Sequence, residues 1–156
     1  MLNNIALIDL DEVKIVPNKN IKRINVNYTK LIQSINIIDN GIIDEINILL
    51  HNIGMRDNLS GYNYYLEGVF YTLTKEYNLD KKYMYHLYEN VNNKCNKNIY
   101  AIEREMRYAK ESTWKYKSLV YIEKILGYPF NYKNGTPTNM ELILILAECI
   151  RRTIGS

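Results

Sequence analysis

Apolar residues recur every three or four positions between Ile99 and Trp114, which is the spacing of one face of an α-helix. The members of this apolar face are Ile99, Ile102, Met106, Ala109 and Thr113. At about 100° per residue, the opposite face carries Tyr100, Arg104, Arg107, Tyr108 and Glu111. We therefore predict a long helix near residues 98–114 that buries its apolar face in a core and presents arginine and tyrosine outward.

This helix has two interpretations. Guanidinium groups and polar rings suit base edges and phosphates, so the segment is a candidate DNA recognition helix. The plainer interpretation is that its outer face is charged only because that face is solvated. A short predicted helix and a tight turn directly before the segment favour the first interpretation, since this order is that of a helix-turn-helix.

The chain after about residue 29 is helical in pattern, and glycines and capping residues mark the helix ends. Gly54 and Gly127 follow apolar runs at the positions where glycine ends a helix. Thr138 and Glu141 have the spacing of a capping box, and Asn96 or Asn98 precedes the candidate recognition helix as its N-cap. The predicted helices are a short one from residue 29 to a break at Asn40-Gly41, followed by 42–53, 62–77, 80–89, 91–95 (a short helix or turn), 98–114, 118–126 and 140–151.

Residues 1–28 have a different pattern. Short apolar runs are followed by turn residues at 17–20, and Ile24, Val26 and Tyr28 then alternate with asparagine. This alternation predicts an N-terminal β-hairpin, with a loosely ordered arm as the alternative. The expected organisation is an N-terminal segment over 1–40, containing strands and a short helix, before a mainly α domain over 41–156.

Composition supports a globular protein. The chain has 156 residues, of which 47% are hydrophobic and 24% charged, enough to bury a core and too apolar for a disordered chain. No apolar run reaches the roughly 18 residues that a membrane span needs. The first residues lack the pattern of a secretory signal, and we therefore expect a cytoplasmic protein.

Positive charge is concentrated around the candidate recognition helix. The formal net charge is only +3, but residues 94–117 hold seven basic and three acidic residues, a net charge of +4. A basic element in a nearly neutral chain is typical of phosphate binding.

The sequence contains no pattern typical of a metal, cofactor or catalytic site. The two cysteines and two histidines lack the spacing of zinc ligands, and Cys149 lies in an apolar run as a small core residue would. There is no glycine-rich phosphate loop and no set of residues that would activate a nucleophile. We therefore expect neither a cofactor nor an enzyme.

Five ordered segments together resemble one family. They are 46–54, 61–64, Glu103-Arg104 with Arg107 and Trp114, 126–128 and 137–141. Their order and spacing, over about residues 42–152, resemble the C-terminal DNA-binding effector domain of the sporulation stage-zero master response regulator of endospore-forming bacteria. The resemblance implies a six-helix domain with a helix-turn-helix, a double-stranded DNA target and a role in transcription.

The same resemblance places the recognition helix at 98–114 and base contacts at Arg104 and Arg107, with Glu103 at a further family position. The chain departs from the family at Ala101, where an arginine is usual, and at Tyr108, where a histidine is usual. Because one base-reading group is missing and another is changed, we expect a different operator. Only about 40 residues precede the match, too few for the family's receiver domain, and we do not expect control by phosphorylation.

The sequence therefore predicts a stand-alone DNA-binding transcription regulator. We expect two chains to pair through residues 1–28, and a contact with RNA polymerase is a further candidate. The alternative is a protein-interaction module that engages or inhibits a sporulation regulator or the polymerase without reading DNA. The candidate DNA-binding residues are Lys94, Lys97, Tyr100, Glu103, Arg104, Arg107, Tyr108 and Lys115.

Overall fold

The computed structural model describes residues 21–75, 83–130 and 135–155, with side chains described for these except at 21–35, 83, 84 and 95. Within these ranges the protein is helical and has no strand, which confirms the mainly α fold. The helices are α1 (Ile21–Asn52), α2 (Ser60–Thr74), α3 (Tyr83–Cys95), α4 (Ile99–Tyr116), α5 (Leu119–Leu126) and α6 (Asn139–Ile154). None of them is long and apolar enough to cross a membrane.

Helix α1 differs from the sequence prediction at two places. Ile24, Val26 and Tyr28 lie within it, so the strand predicted there is wrong, whereas residues 1–20 of the predicted hairpin lie outside the described residues. Ile21, Ile24 and Tyr28 also have the three- and four-residue spacing of a helix, which explains the ambiguity. The predicted break at Gly41 is wrong too, because a glycine inside a helix costs only about 1 kcal/mol relative to alanine.

The chain divides into two units, Met1–Asp39 and Asn40–Ser156, and the described core lies in the second. Helix α2 is at the centre of this unit and contacts α3, α4 and α6. Its Tyr65 is fully buried, and the Tyr65 hydroxyl donates a hydrogen bond to Asn139 Oδ1 at 2.9 Å. The buried hydroxyl therefore has a partner, as a polar group in a core requires.

Helices α2 and α4 approach closely at Gly61, in the first turn of α2. A Cβ atom at this position would lie 2.7 Å from the Cβ of Ala109 and closer still to the backbone oxygen of Glu105. Only a residue without a side chain allows this approach. Gly61 thus sets the distance at which α4 is held against the core.

The helix ends follow the predicted capping residues. Asn98 caps α4 by accepting a 2.8 Å hydrogen bond from the Ala101 amide, and Thr138 and Glu141 form the capping box of α6. Gly127 ends α5 in the left-handed conformation, with φ of 62°. Asn98 thus fixes the start of α4, Gly127 fixes the end of α5, and the capping box fixes the start of α6.

Candidate nucleic-acid interface

Helix α4 has the two faces that the sequence predicts. Ile102, Met106, Ala109 and Thr113 are buried, and Ile99 is half-buried against the same core. The residues of the opposite face are all exposed, namely Tyr100, Arg104, Arg107, Tyr108 and Glu111. The apolar face therefore anchors the helix, and the arginine and tyrosine side chains lie on its solvent-exposed face.

A short turn joins α4 to α3. Helix α3 is continuous to Cys95, so the predicted separation into two pieces at residue 90 is wrong. Leu87 and Val91, one turn apart, are both fully buried, and this shared packing explains the continuity. Asn96 has a φ of 51° and lies in the three-residue turn before α4. The turn of three residues has the length found in helix-turn-helix motifs.

Three of the predicted basic contacts are paired with carboxylates. Lys94 forms an ion pair with Glu67, Lys97 lies 3.1 Å from Glu105, and Arg107 lies 3.2 Å from Glu103 one helical turn away. The hydrogen bonds of Lys97 with Tyr64 and Glu105 raise the pKa of its ammonium group. These pairs cancel part of the positive charge that the sequence places before and within α4.

Lys110 is a further basic residue of this segment that does not face solvent. It is only 6% exposed, and its Nζ donates a 2.6 Å hydrogen bond to the backbone oxygen of Pro137. Burial lowers the pKa of Lys110. The residue therefore joins α4 to the start of α6, and the count of basic residues in the sequence overstates the charge available to a ligand.

The buried ammonium group gives a testable pH dependence. The pKa of Lys110 is lower in the folded chain than the value of about 10.4 in an unfolded one. Between these two values the unfolded state binds more protons, so the free energy of unfolding rises with pH. We expect Lys110→Met to reduce this rise, measured by urea denaturation at several pH values from neutrality to pH 10. Parallel curves for the two proteins would contradict the assignment.

Arg104 is a predicted basic residue that lies beside a groove. It is exposed, forms none of the ion pairs found among the described residues, and lines a groove of about 390 Å³. The groove is also lined by Glu105, Tyr108 and the residues at the start of α2, Asn58 to Gly61. The Glu105 carboxylate interacts electrostatically with Arg104, but the two form no ion pair. A planar guanidinium that is held in no ion pair keeps its donors available for a ligand.

The remaining predicted residues, Tyr100 and Lys115, are exposed. Lys115 shares an aromatic ring with Arg56, a cation that the sequence analysis did not identify. Tyr100 is 84% exposed, and Lys115 Nζ lies 5.7 Å from the ring centroid of Tyr116. The Cζ atom of Arg56 lies over the same ring at 5.8 Å, although Arg56 comes from the loop between α1 and α2. No periodicity in the sequence relates Arg56 to α4, because the contact depends on tertiary packing.

A known family matches most of the chain. Residues 46–150, about two thirds of the chain, match the family described as sporulation initiation factor Spo0A C terminal. The matched range begins near the end of α1 and extends into α6, so it contains the whole of α2 to α5. The match confirms the resemblance on which the sequence prediction relied.

Proposed function

This chain belongs to the family of the sporulation initiation factor Spo0A C-terminal domain, a DNA-binding regulatory family, and from that premise we propose that it is a sequence-specific regulator of transcription. We propose that α4 enters the major groove of double-stranded DNA. The observation that carries this proposal is the structure of α4, with one face buried in the core and an exposed Arg104 that forms none of the ion pairs found among the described residues.

The dimensions of α4 support this placement. Its 18 residues make a rod about 27 Å long and about 10–12 Å wide, and the major groove is about 12 Å wide. Arg104 lies near the middle of the exposed face, where a helix in the groove approaches the base edges most closely. An arginine there can donate two hydrogen bonds to a guanine.

The other predicted residues take different parts in the proposal. Arg107 and Glu103 form an exposed pair, which DNA can separate when a base or phosphate replaces the carboxylate as the partner of the guanidinium. Lys94 and Lys97 would likewise leave their ion pairs with Glu67 and Glu105 and bind phosphates instead. The remaining proposed contacts are Tyr100, Tyr108 and Lys115. The changes from the family pattern at Ala101 and Tyr108 support a different operator from that of the related regulator.

The proposal is tested by measuring the affinity of the full chain for a random duplex pool at several salt concentrations, followed by selection of the bound sequences. Each phosphate contact should add roughly 0.9 to the slope of log affinity against log salt. We expect a steep slope and enrichment of a defined motif. Absence of binding at low salt, or a flat slope, would refute DNA binding.

We extend the proposal to a homodimer joined through residues 1–28 and to a contact with RNA polymerase, both of which remain predictions from the sequence. The mass of the complex in the same titrations tests the first, since two chains should bind each selected duplex. The polymerase contact is tested by adding RNA polymerase to the DNA-bound protein and measuring whether the complex retains it.

The second candidate function is a protein-interaction module. Helix α5 favours it, because Val120 is 74% exposed and Leu119 is also on the surface, and exposed apolar side chains are typical of sites for other proteins. If the chain fails to bind DNA but forms a stable complex with a sporulation regulator or the polymerase, this second function replaces the first.

A further inference from the structure

We propose that three cations at the C-terminal end of α4, Arg56, Lys115 and Lys117, bind backbone phosphates of the DNA whose bases α4 reads. This site rests on the proposed function. Lys115 is already a predicted contact from the sequence, and the site adds Arg56, which lies outside the basic segment 94–117, and assigns Lys117 a specific role beside it. Together with Tyr116 and Tyr121, the three residues are named the Arg56 cluster.

The cluster is held together by contacts between separate elements. Arg56 Nη2 donates a 3.0 Å hydrogen bond to Ser112 Oγ on α4, and its guanidinium lies over the ring of Tyr116. Lys115 Nζ is at 5.7 Å from the centroid of that ring, which is 71% exposed. Two cations thus share one exposed aromatic ring at the end of α4.

Lys117 is positioned by α1 and α5. Its Nζ lies 5.2 Å from the ring centroid of Tyr121, and the Tyr121 hydroxyl donates a 2.9 Å hydrogen bond to the backbone oxygen of Asn52. The alkyl part of Lys117 lies against Gly54, where any Cβ would collide with it. Because these side chains are already oriented, binding loses less conformational entropy than it would with unconstrained lysines.

The charges of the Arg56 cluster are less compensated than those at the start of α4. Arg56, Lys115 and Lys117 take part in none of the ion pairs that the described residues form, whereas the predicted contacts Lys94 and Lys97 each face a glutamate. The adjacent carboxylate of Asp57 lies 3.9 Å from His51. Positive charge that is not held in an ion pair of the described residues is therefore concentrated at the C-terminal end of α4.

The position of the cluster favours the DNA backbone over the bases. Lys115 follows Arg104 by eleven residues, which is about 16 Å along a helix, more than the groove width of about 12 Å. When Arg104 faces base edges, the end of α4 therefore lies beyond them, beside a phosphate strand. Lysine, arginine and tyrosine side chains are common donors to phosphate oxygens.

The test compares Arg56→Ala and Lys117→Ala with the wild-type full chain on the selected duplex and on random DNA. Each variant should weaken binding to both DNAs by the same factor and reduce the salt slope by about one, with the selected motif unchanged. Arg56→Lys should keep the slope, because a phosphate needs only a cation there. Lys75→Ala, which removes an exposed lysine at the end of α2, is the matched control and should leave both quantities unchanged.

Each other outcome overturns the proposal. Slopes equal to that of Lys75→Ala show that the Arg56 cluster does not touch DNA, and a change of motif in Arg56→Ala shows base reading instead. If wild-type protein binds DNA and the variants keep full affinity but lose an acidic protein partner, the surface belongs to that partner. If wild-type protein binds no DNA, the proposed function fails and this proposal fails with it. Circular dichroism of every variant separates loss of contact from loss of fold.

Discussion

Replacing Gly61 by alanine is expected to lower the free energy of unfolding by about 1–3 kcal/mol, because overpacking a close helix contact forces backbones apart. The new Cβ would collide with the Glu105 carbonyl group and with the Ala109 side chain, neither of which can rotate away. Helices α2 and α4 must therefore separate or shift. Urea denaturation followed by circular dichroism measures the loss.

Gly41→Ala is the matched control, since it makes the same substitution inside another helix. Among the described residues, and apart from the chain neighbours of Gly41 and the adjacent backbone of its own helix, no atom lies within 4 Å of a Cβ built at this position. Alanine should therefore stabilise that helix by about 0.5–1 kcal/mol through its higher helix propensity. Opposite signs for the two substitutions would show that packing, and not propensity, decides the effect at Gly61. A Gly61→Ala variant as stable as the wild type would mean that α2 and α4 do not meet as closely as described.

The features that the sequence predicted well depend on neighbours along the chain. The buried and exposed faces of α4 follow from the helical period, and Asn98, Thr138 and Gly127 mark helix ends because capping involves residues within one turn. Ile24 shows the limit of the same reasoning. Its spacing fits both a strand and a helix, and the sequence alone does not distinguish them.

The features that the sequence did not predict depend on distant partners. Lys110 is charged and helical, yet its ammonium group is buried because Pro137 supplies an acceptor 27 residues away. Lys94 is paired with Glu67 from another helix, also 27 residues distant. Arg56 reaches Ser112 across 56 residues. Counting basic residues in a segment therefore predicts a candidate interface, but it does not show which side chains are buried or held in ion pairs.

Arg104 is the residue whose loss we expect to affect DNA recognition most. Lys94, Lys97 and Arg107 are held in ion pairs, whereas Arg104 forms none among the described residues. Arg104→Ala is expected to cost about 1–3 kcal/mol on the selected duplex and to relax the preference at one base pair. The physical reason is that a bidentate guanidinium discriminates between bases. Arg104 forms none of the ion pairs found among the described residues, so no such pair has to be broken before it binds. Binding to random DNA should change much less, which separates this residue from those of the Arg56 cluster.

Two variants sharpen the interpretation of Arg104→Ala. Arg104→Lys retains the charge but not the planar fork, so it should recover affinity for random DNA and leave the base preference relaxed. Arg107→Ala should have a smaller effect. In the protein without DNA, Arg107 already interacts with Glu103, and the free energy that Arg107 gains from DNA is reduced by the loss of that ion pair. The dissociation constants of all three variants are measured on the selected duplex and on duplexes that differ from it by single base pairs. If Arg104→Ala keeps both the affinity and the motif of the wild type, α4 does not read bases through this residue and its placement in the groove is wrong.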